Sequence, residues 1–134
     1  MRILGIAHVA IAVDDPAEPA RVFEDLLGLG SPATEEVPDQ RVITDIFDTG
    51  RGKVELLSAT SSDAPISKFL ARRGPGLHHL ALEVDDLDAW LIHLKGRGVR
   101  LIDEEPRMGA EGYRIAFIHP QATAGVLIEL CQKP

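Results

Sequence analysis

Two histidines and two glutamates carry the chemistry to be expected of this chain. His8 and His79 lie 71 positions apart, and Glu55 and Glu129 lie 74 apart. Each His stands near the start of a repeated phrase. Residues 5–16 read GIAHVAIAVDDP and residues 76–87 read GLHHLALEVDDL, identical at six of twelve positions. Each Glu stands inside a second shared phrase, KVELL at 53–57 and LIELC at 127–131. A repeat that supplies one His and one Glu per copy points to a divalent metal held by imidazole and carboxylate together. Such donors suit Co2+, Mn2+, Ni2+, Fe2+ or Zn2+, without ranking them. A single strand His is more often a satisfied core residue, and a single Glu more often faces water. It is the matched placement of all four that points to a site.

The other reactive side chains read as structural. His78 points away from His79 on strand alternation. His93 falls on a solvated helix face, and His119 ends a strand before Pro120. Cys131 reads as a small core residue, with no helix N-terminus or paired His to lower its pKa.

The elements that must position the four residues follow from periodicity. Ile3 to Val13 alternates loosely and reads as a buried strand. Asp14-Asp15-Pro16 starts a helix, with Val22, Phe23, Leu26 and Leu27 as its apolar stripe and Gly28 and Gly30 as its end. Ala33 to Val37 is a weak strand. Arg41 to Asp48 and Lys53 to Ala59 form a hairpin across Arg51-Gly52. Val42, Thr44 and Ile46 share one face of its first strand, and Ile43, Asp45 and Phe47 share the other. Pro65 to Arg73 is a short helix with Ile66, Phe69 and Leu70 inward.

The second half repeats the plan. A strand at Leu77 to Val84 leads into a helix at Leu87 to Lys95, capped by Asp85-Asp86 and carrying Leu87, Trp90, Leu91 and Leu94 on one face. A short strand at Arg100 to Ile102, a loop at 103–112, and strands at Tyr113 to His119 and Gly125 to Gln132 complete it. Each half reads β-α-β-β-β. The fold class expected is therefore α+β, two βαβββ modules making an eight-stranded cupped sheet. The whole of 1–134 reads as one domain, with modules at about 1–60 and 76–134 and a connecting helix at about 64–73.

Composition bounds the function. The chain has 134 residues, enough for one domain with a real core. A net charge of −7 argues against general nucleic-acid binding. No apolar run is long enough to span a membrane, and the alternating N-terminus reads as a strand rather than a signal peptide. One cysteine permits no internal disulfide, which fits a reducing, cytoplasmic setting.

At these residues the chain resembles the vicinal oxygen chelate (glyoxalase-like) superfamily, and within it the methylmalonyl-CoA epimerase family. The resemblance rests on HVAIAV at 8–13, KVELL at 53–57, APISKFL at 64–70, GLHHLALEVDD at 76–86, GVRLIDEEPRMGAEG at 98–112, IAFIHP at 115–120 and GVLIEL at 125–130. It implies an isomerase that interconverts the R and S forms of methylmalonyl-CoA, or a related acyl-CoA thioester, through a metal-stabilised enolate. It implies one divalent ion, Co2+ favoured and Mn2+, Ni2+, Zn2+ or Mg2+ admitted, on His8, His79 and Glu129, with Glu55 as fourth ligand. Glu129 is the implied acid/base, and pseudo-symmetry with Glu129 makes Glu55 the preferred opposing base. A homodimer is also implied.

One departure stands out. Where some epimerases carry a second carboxylate, this chain has Thr44, with Asp45 beside it on the other face. The opposing base is then Glu55, Asp45 turned inward by a bulge, or a relaying water. Lys68, Arg72, Arg73, Arg107 and Arg114 are candidate contacts for the phosphates of coenzyme A, and Gly109 to Gly112 a candidate amide cradle for the substrate carboxylate. The rival readings are a glyoxalase I-like enzyme of the same fold and a non-enzymatic small-molecule binding protein.

Overall fold

The computed structural model describes residues 1–134, which fold as two compact units. One is His8–His78; the other joins Met1–Ala7 to His79–Pro134. Strand β1 (Ile3–Ala12) runs through both, its first residues belonging to one unit and the rest to the other.

In the His8–His78 unit, β1 pairs in parallel with β4 (Lys53–Ala59), placing Ala10 beside Glu55. Strand β3 (Val42–Asp48) runs antiparallel to β4, and β2 (Ala33–Val37) antiparallel to β3, giving the order β2-β3-β4-β1. The β-branched residues of β3 set its faces. Val42, Thr44 and Ile46 are all buried on one side. Phe47 on the other packs with Val13, Leu56 and Phe23, the two phenyl rings 5.5 Å apart.

Phe23 comes from helix α1 (Ala17–Arg21), which widens into a π-helical turn at Val22–Leu26. The wider turn is closed by Leu27 N–H donating to the Val22 carbonyl, and it corrects the expected stripe: Leu26 and Leu27 are 64% and 61% exposed. About five residues per bond rotate them off the buried face. Asp15 does help start the helix, accepting from Ala17 N–H at 2.9 Å.

Helix α2 (Pro65–Arg73) buries Ile66 and leads to β5 (Gly76–Val84). His78, in the first turn of residues of β5, meets the Phe69 ring edge-on at 4.9 Å. Burial pushes its imidazole pKa down to about 4 from the ordinary 6.5. Between those values the unfolded chain binds a proton that the folded chain refuses. Stability is therefore full above pH 6.5 and falls as pH drops toward 4. Urea midpoints measured across that window should fall for the wild-type chain and fall less for His78→Gln.

In the other unit, β5 pairs in parallel with β8 (Ile128–Gln132), placing Ala81 beside Glu129. Strands β7 (Arg114–Ile118) and β6 (Arg107–Met108) follow antiparallel, in the order β5-β8-β7-β6. Helix α3 (Leu87–Gly96) is capped by the Asp86 carboxylate, which accepts from Ala89 N–H. Its Leu87, Trp90, Leu91 and Leu94 pack with Val84, Ala116, Ile118 and Leu130 as its periodicity predicts. The N-terminus is tied to the same helix start: Arg2 N–H donates to Asp85 Oδ1 at 2.8 Å, and the Trp90 indole N–H to the Arg2 carbonyl.

Two expected strands come out shorter. Arg100 to Ile102 makes only an isolated bridge, Leu101 to Ile118. Asp103 ends the pairing, because its carboxylate takes the Phe117 N–H that a strand carbonyl would otherwise take. Strand β8 starts at Ile128 rather than Gly125, since a 3-10 turn at Pro120–Thr123 and left-handed Ala124 and Gly125 precede it.

Candidate metal centre

In each unit one strand pair places the His and the Glu by the same register. Glu55 lies beside Ala10, two residues after His8. Glu129 lies beside Ala81, two residues after His79. Period-two alternation puts each His on the same face as its Glu. Ala10 and Ala81 are fully buried, and their single methyl groups leave room for the larger side chains around them.

The buried polar and charged side chains of the chain are Thr44, Glu55, His79 and Glu129. Removing a carboxylate from water is costly unless it is paired or bound to a cation. In the 79–134 unit, His79 Nε2 stands 3.4 Å from Glu129 Oε2. Two donors each about 2.1 Å from one ion lie about 3.0–3.4 Å apart for right-angled to tetrahedral arrangements. The pair thus fits adjacent ligands of a divalent cation better than a short hydrogen bond. The Phe117 ring meets His79 edge-on at 5.3 Å and fixes its plane.

The His8–His78 unit uses the same residue types differently. His8 Nδ1 stands 2.9 Å from Glu55 Oε2. The second oxygen, Oε1, accepts from the Thr44 hydroxyl at 3.2 Å. Thr44 is 1% exposed. The sequence offered one signal for it, a lone hydroxyl between Val42 and Ile46 on an inward strand face. Asp45 stays on the opposite face, accepting from the Thr34 hydroxyl. The β3–β4 register is unbroken from Val42 to Asp48, so no bulge turns it inward.

The basic candidates separate by what already holds them. Arg114 grips Asp88 with two parallel bonds of 2.9 and 3.0 Å. Arg107 pairs with Asp103 at 3.0 Å and lies over the Phe117 ring. Arg73 lies over Phe69. Lys68 and Arg72 are exposed on α2. In the 109–112 turn, the Gly109 N–H is spent on the Tyr113 carbonyl.

Gly109 is also sterically fixed. A Cβ there would fall 2.9 Å from Ile115 Cγ2, and Ile115 is 2% exposed, packed with Ala81 and Phe117. Gly109→Ala should cost about 1–3 kcal/mol, as overpacking does, read as a lowered denaturation midpoint.

Residues 7–117 match the model of the Glyoxalase/Bleomycin resistance protein/Dioxygenase superfamily. The chain belongs to that superfamily. Its fold is the α+β, eight-stranded glyoxalase-like fold. An uncharacterised Bacillus subtilis protein is 41% identical over 93% of this chain and 89% of its own length. The human mitochondrial methylmalonyl-CoA epimerase is 36% identical over 93% of this chain and 72% of its own. The crystal structure of the Mycobacterium tuberculosis methylmalonyl-CoA epimerase is 36% identical and superposes with a TM-score of 0.93, over 98% of this chain and 89% of that one. A methylmalonyl-CoA epimerase solved with methylmalonyl-CoA and NH4+ is 33% identical, with a TM-score of 0.91 over 98% and 96%. This member of the superfamily is thus related to methylmalonyl-CoA epimerases over nearly its full length. No helix in it is long and apolar enough to cross a membrane.

Proposed function

We propose that the chain is a divalent-metal-dependent epimerase of methylmalonyl-CoA or a closely related acyl-CoA thioester. The observation that carries this reading is the donor set His8, His79 and Glu129, which could hold one metal ion. Full-length relatedness to epimerases, one of them solved with methylmalonyl-CoA, supports the substrate class. Co2+ is the ion adopted in this proposal, one of the divalent ions that two imidazoles and a carboxylate suit.

The ion, when bound, would polarise the substrate oxygens and favour the enolate. The chain's own residues do the rest. His8 and His79 hold and orient. Glu129 takes the α-proton and returns it, its carboxylate kept in place by its register beside Ala81. On the opposite face Asp45 points away, and both oxygens of Glu55 are engaged by His8 and Thr44. In this proposal the second proton therefore travels by water. Lys68 and Arg72 are the cations with freedom to meet the phosphates of coenzyme A. A homodimer is part of the same proposal, supported by apolar Ile3, Leu4 and Ile6 at 45%, 50% and 59% exposure. A cytoplasmic setting is supported by the chain's single cysteine, the buried Cys131, which permits no internal disulfide.

The test is α-proton exchange. Methylmalonyl-CoA is incubated with the Co2+-loaded protein in D2O and followed by proton NMR, beside methylglyoxal with glutathione. Exchange with R/S interconversion is expected. Turnover of the hemithioacetal without exchange at the malonyl carbon would make the chain a glyoxalase instead.

A further inference from the structure

Phe117 is the common neighbour of His79 and Glu129. It stands opposite Glu129 in the β7–β8 register, and its ring meets His79 at 5.3 Å with the planes 87° apart. Residues 102–107 hold it from the other edge of β7. The N–H groups of Ile102 and Asp103 donate to the Phe117 carbonyl at 2.9 and 3.3 Å, and Asp103 Oδ2 accepts the Phe117 N–H at 2.9 Å. The other oxygen of that carboxylate, Oδ1, stands 3.0 Å from Arg107 Nε. The Arg107 guanidinium carbon in turn lies over the Phe117 ring, 5.9 Å from its centre. One carboxylate thus anchors both the backbone of Phe117 and the cation that lies on its ring.

The register gives the pair its meaning. Arg107 pairs with Ile115, two residues before Phe117, so period two puts Arg107 on the face that carries Phe117, Glu129 and His79. Strand β6 has only two residues, and the Arg107 side chain is 35% exposed. A pair so open to water adds little to stability. What it supplies is geometry, because a planar guanidinium can lie flat on a ring while its Nε edge faces a carboxylate.

We propose that Asp103 and Arg107 are positioning residues for His79 and Glu129, acting through Phe117. This rests on the proposed roles of His79 and Glu129. The loop that begins at Asp103 is then part of the site's framework, and Arg107 acts on the ring rather than on substrate.

The experiment uses the whole chain with Asp103→Asn, Arg107→Lys, Arg107→Met, Phe117→Leu and the double variant Arg107→Met with Phe117→Leu. Proton NMR of the metal-free protein reads the flipping rate of the Phe117 ring and its cross-relaxation with the carbon-bound ring protons of His79. The ring should flip faster, and the cross-relaxation weaken, in Arg107→Met. Arg107→Lys should not restore either, since its ammonium can pair with Asp103 but has no planar face. Asp103→Asn keeps the shape and an acceptor for the Phe117 N–H, so it should fold and still loosen the ring. In the epimerase assay, Arg107→Met should lower kcat roughly 10–100-fold, as misplacement of reacting groups does, with KM within about twofold of the wild type. Added to Phe117→Leu, it should lower kcat no further, because the two act as one unit.

A raised KM with kcat kept in Arg107→Met would make Arg107 a substrate contact and overturn the proposal. So would a full further loss of kcat in the double variant, or a Phe117 ring whose motion ignores Arg107→Met. The ring is read without metal or substrate. A chain that lacks epimerase activity but shows the loosened ring refutes the functional reading and upholds the hold of Asp103 and Arg107 on Phe117 and His79. Epimerase activity with an unchanged ring refutes only the positioning role.

Discussion

Glu129→Gln should lower kcat for epimerisation by about 10²–10⁴-fold, the range for loss of a positioned acid/base group. Glu129 is 4% exposed, and glutamine has nearly its shape, so the fold should survive the change. Glutamine keeps one oxygen for an ion but cannot accept the α-proton. The loss should therefore fall on kcat, with KM little changed. Solvent deuterium should stop appearing at the substrate carbon to the same degree. The measurement is a steady-state assay paired with NMR exchange in D2O. Activity within tenfold of wild type would remove Glu129 from the chemistry. Glu55→Gln makes the internal control: with the proton on the second face carried by water, it should keep far more turnover than Glu129→Gln.

Removing the metal should have an equally large effect, felt in both activity and stability. A chelated sample should lose exchange activity and regain it with Co2+. It should also melt lower, because an ion that binds only the folded chain adds about 2.7 kcal/mol at a hundred times its Kd. His79→Ala should abolish that thermal gain. His79 is 6% exposed and braced by the Phe117 ring, so its removal also opens a cavity and lowers the melting temperature of the metal-free protein. Scanning calorimetry with and without Co2+ separates the two losses. A melting point insensitive to Co2+ in the wild type would sink the metal reading.

Much of this was legible in the sequence because the repeat names its own constants. His8 with His79, and Glu55 with Glu129, recur at fixed offsets, and apolar alternation put each on a strand. Helix α3 was readable from Leu87, Trp90, Leu91 and Leu94, since one regular period and one Asp cap define it. What could not be read depends on side-chain competition. Asp103 displaced a strand by taking the Phe117 N–H. The π-helical turn moved Leu26 and Leu27 outward with no Gly or Pro to announce it. Thr44 was visible as a residue but not as a partner, because its contact with Glu55 is diagonal across two strands. The choice of ring nitrogen at His8 is a rotamer, and no spacing rule encodes it.

The path of β1 sets an order on how the chain can be made. The unit of His8–His78 is continuous in sequence and can close as soon as it leaves the ribosome. The other unit cannot. Its residues 1–7 emerge before the His8–His78 unit, yet the bond from Arg2 to Asp85 spans 83 positions, and β8 ends only at Gln132. Residues 1–7 must wait until their partners beyond residue 79 have been made. Closing so long a loop slows folding more than it weakens the product. Refolding should therefore show two phases, the slower one reported by Trp90, whose indole donates to the arm. During the wait, Ile3, Leu4 and Ile6 form an apolar segment open to capture, so the nascent chain is most vulnerable there.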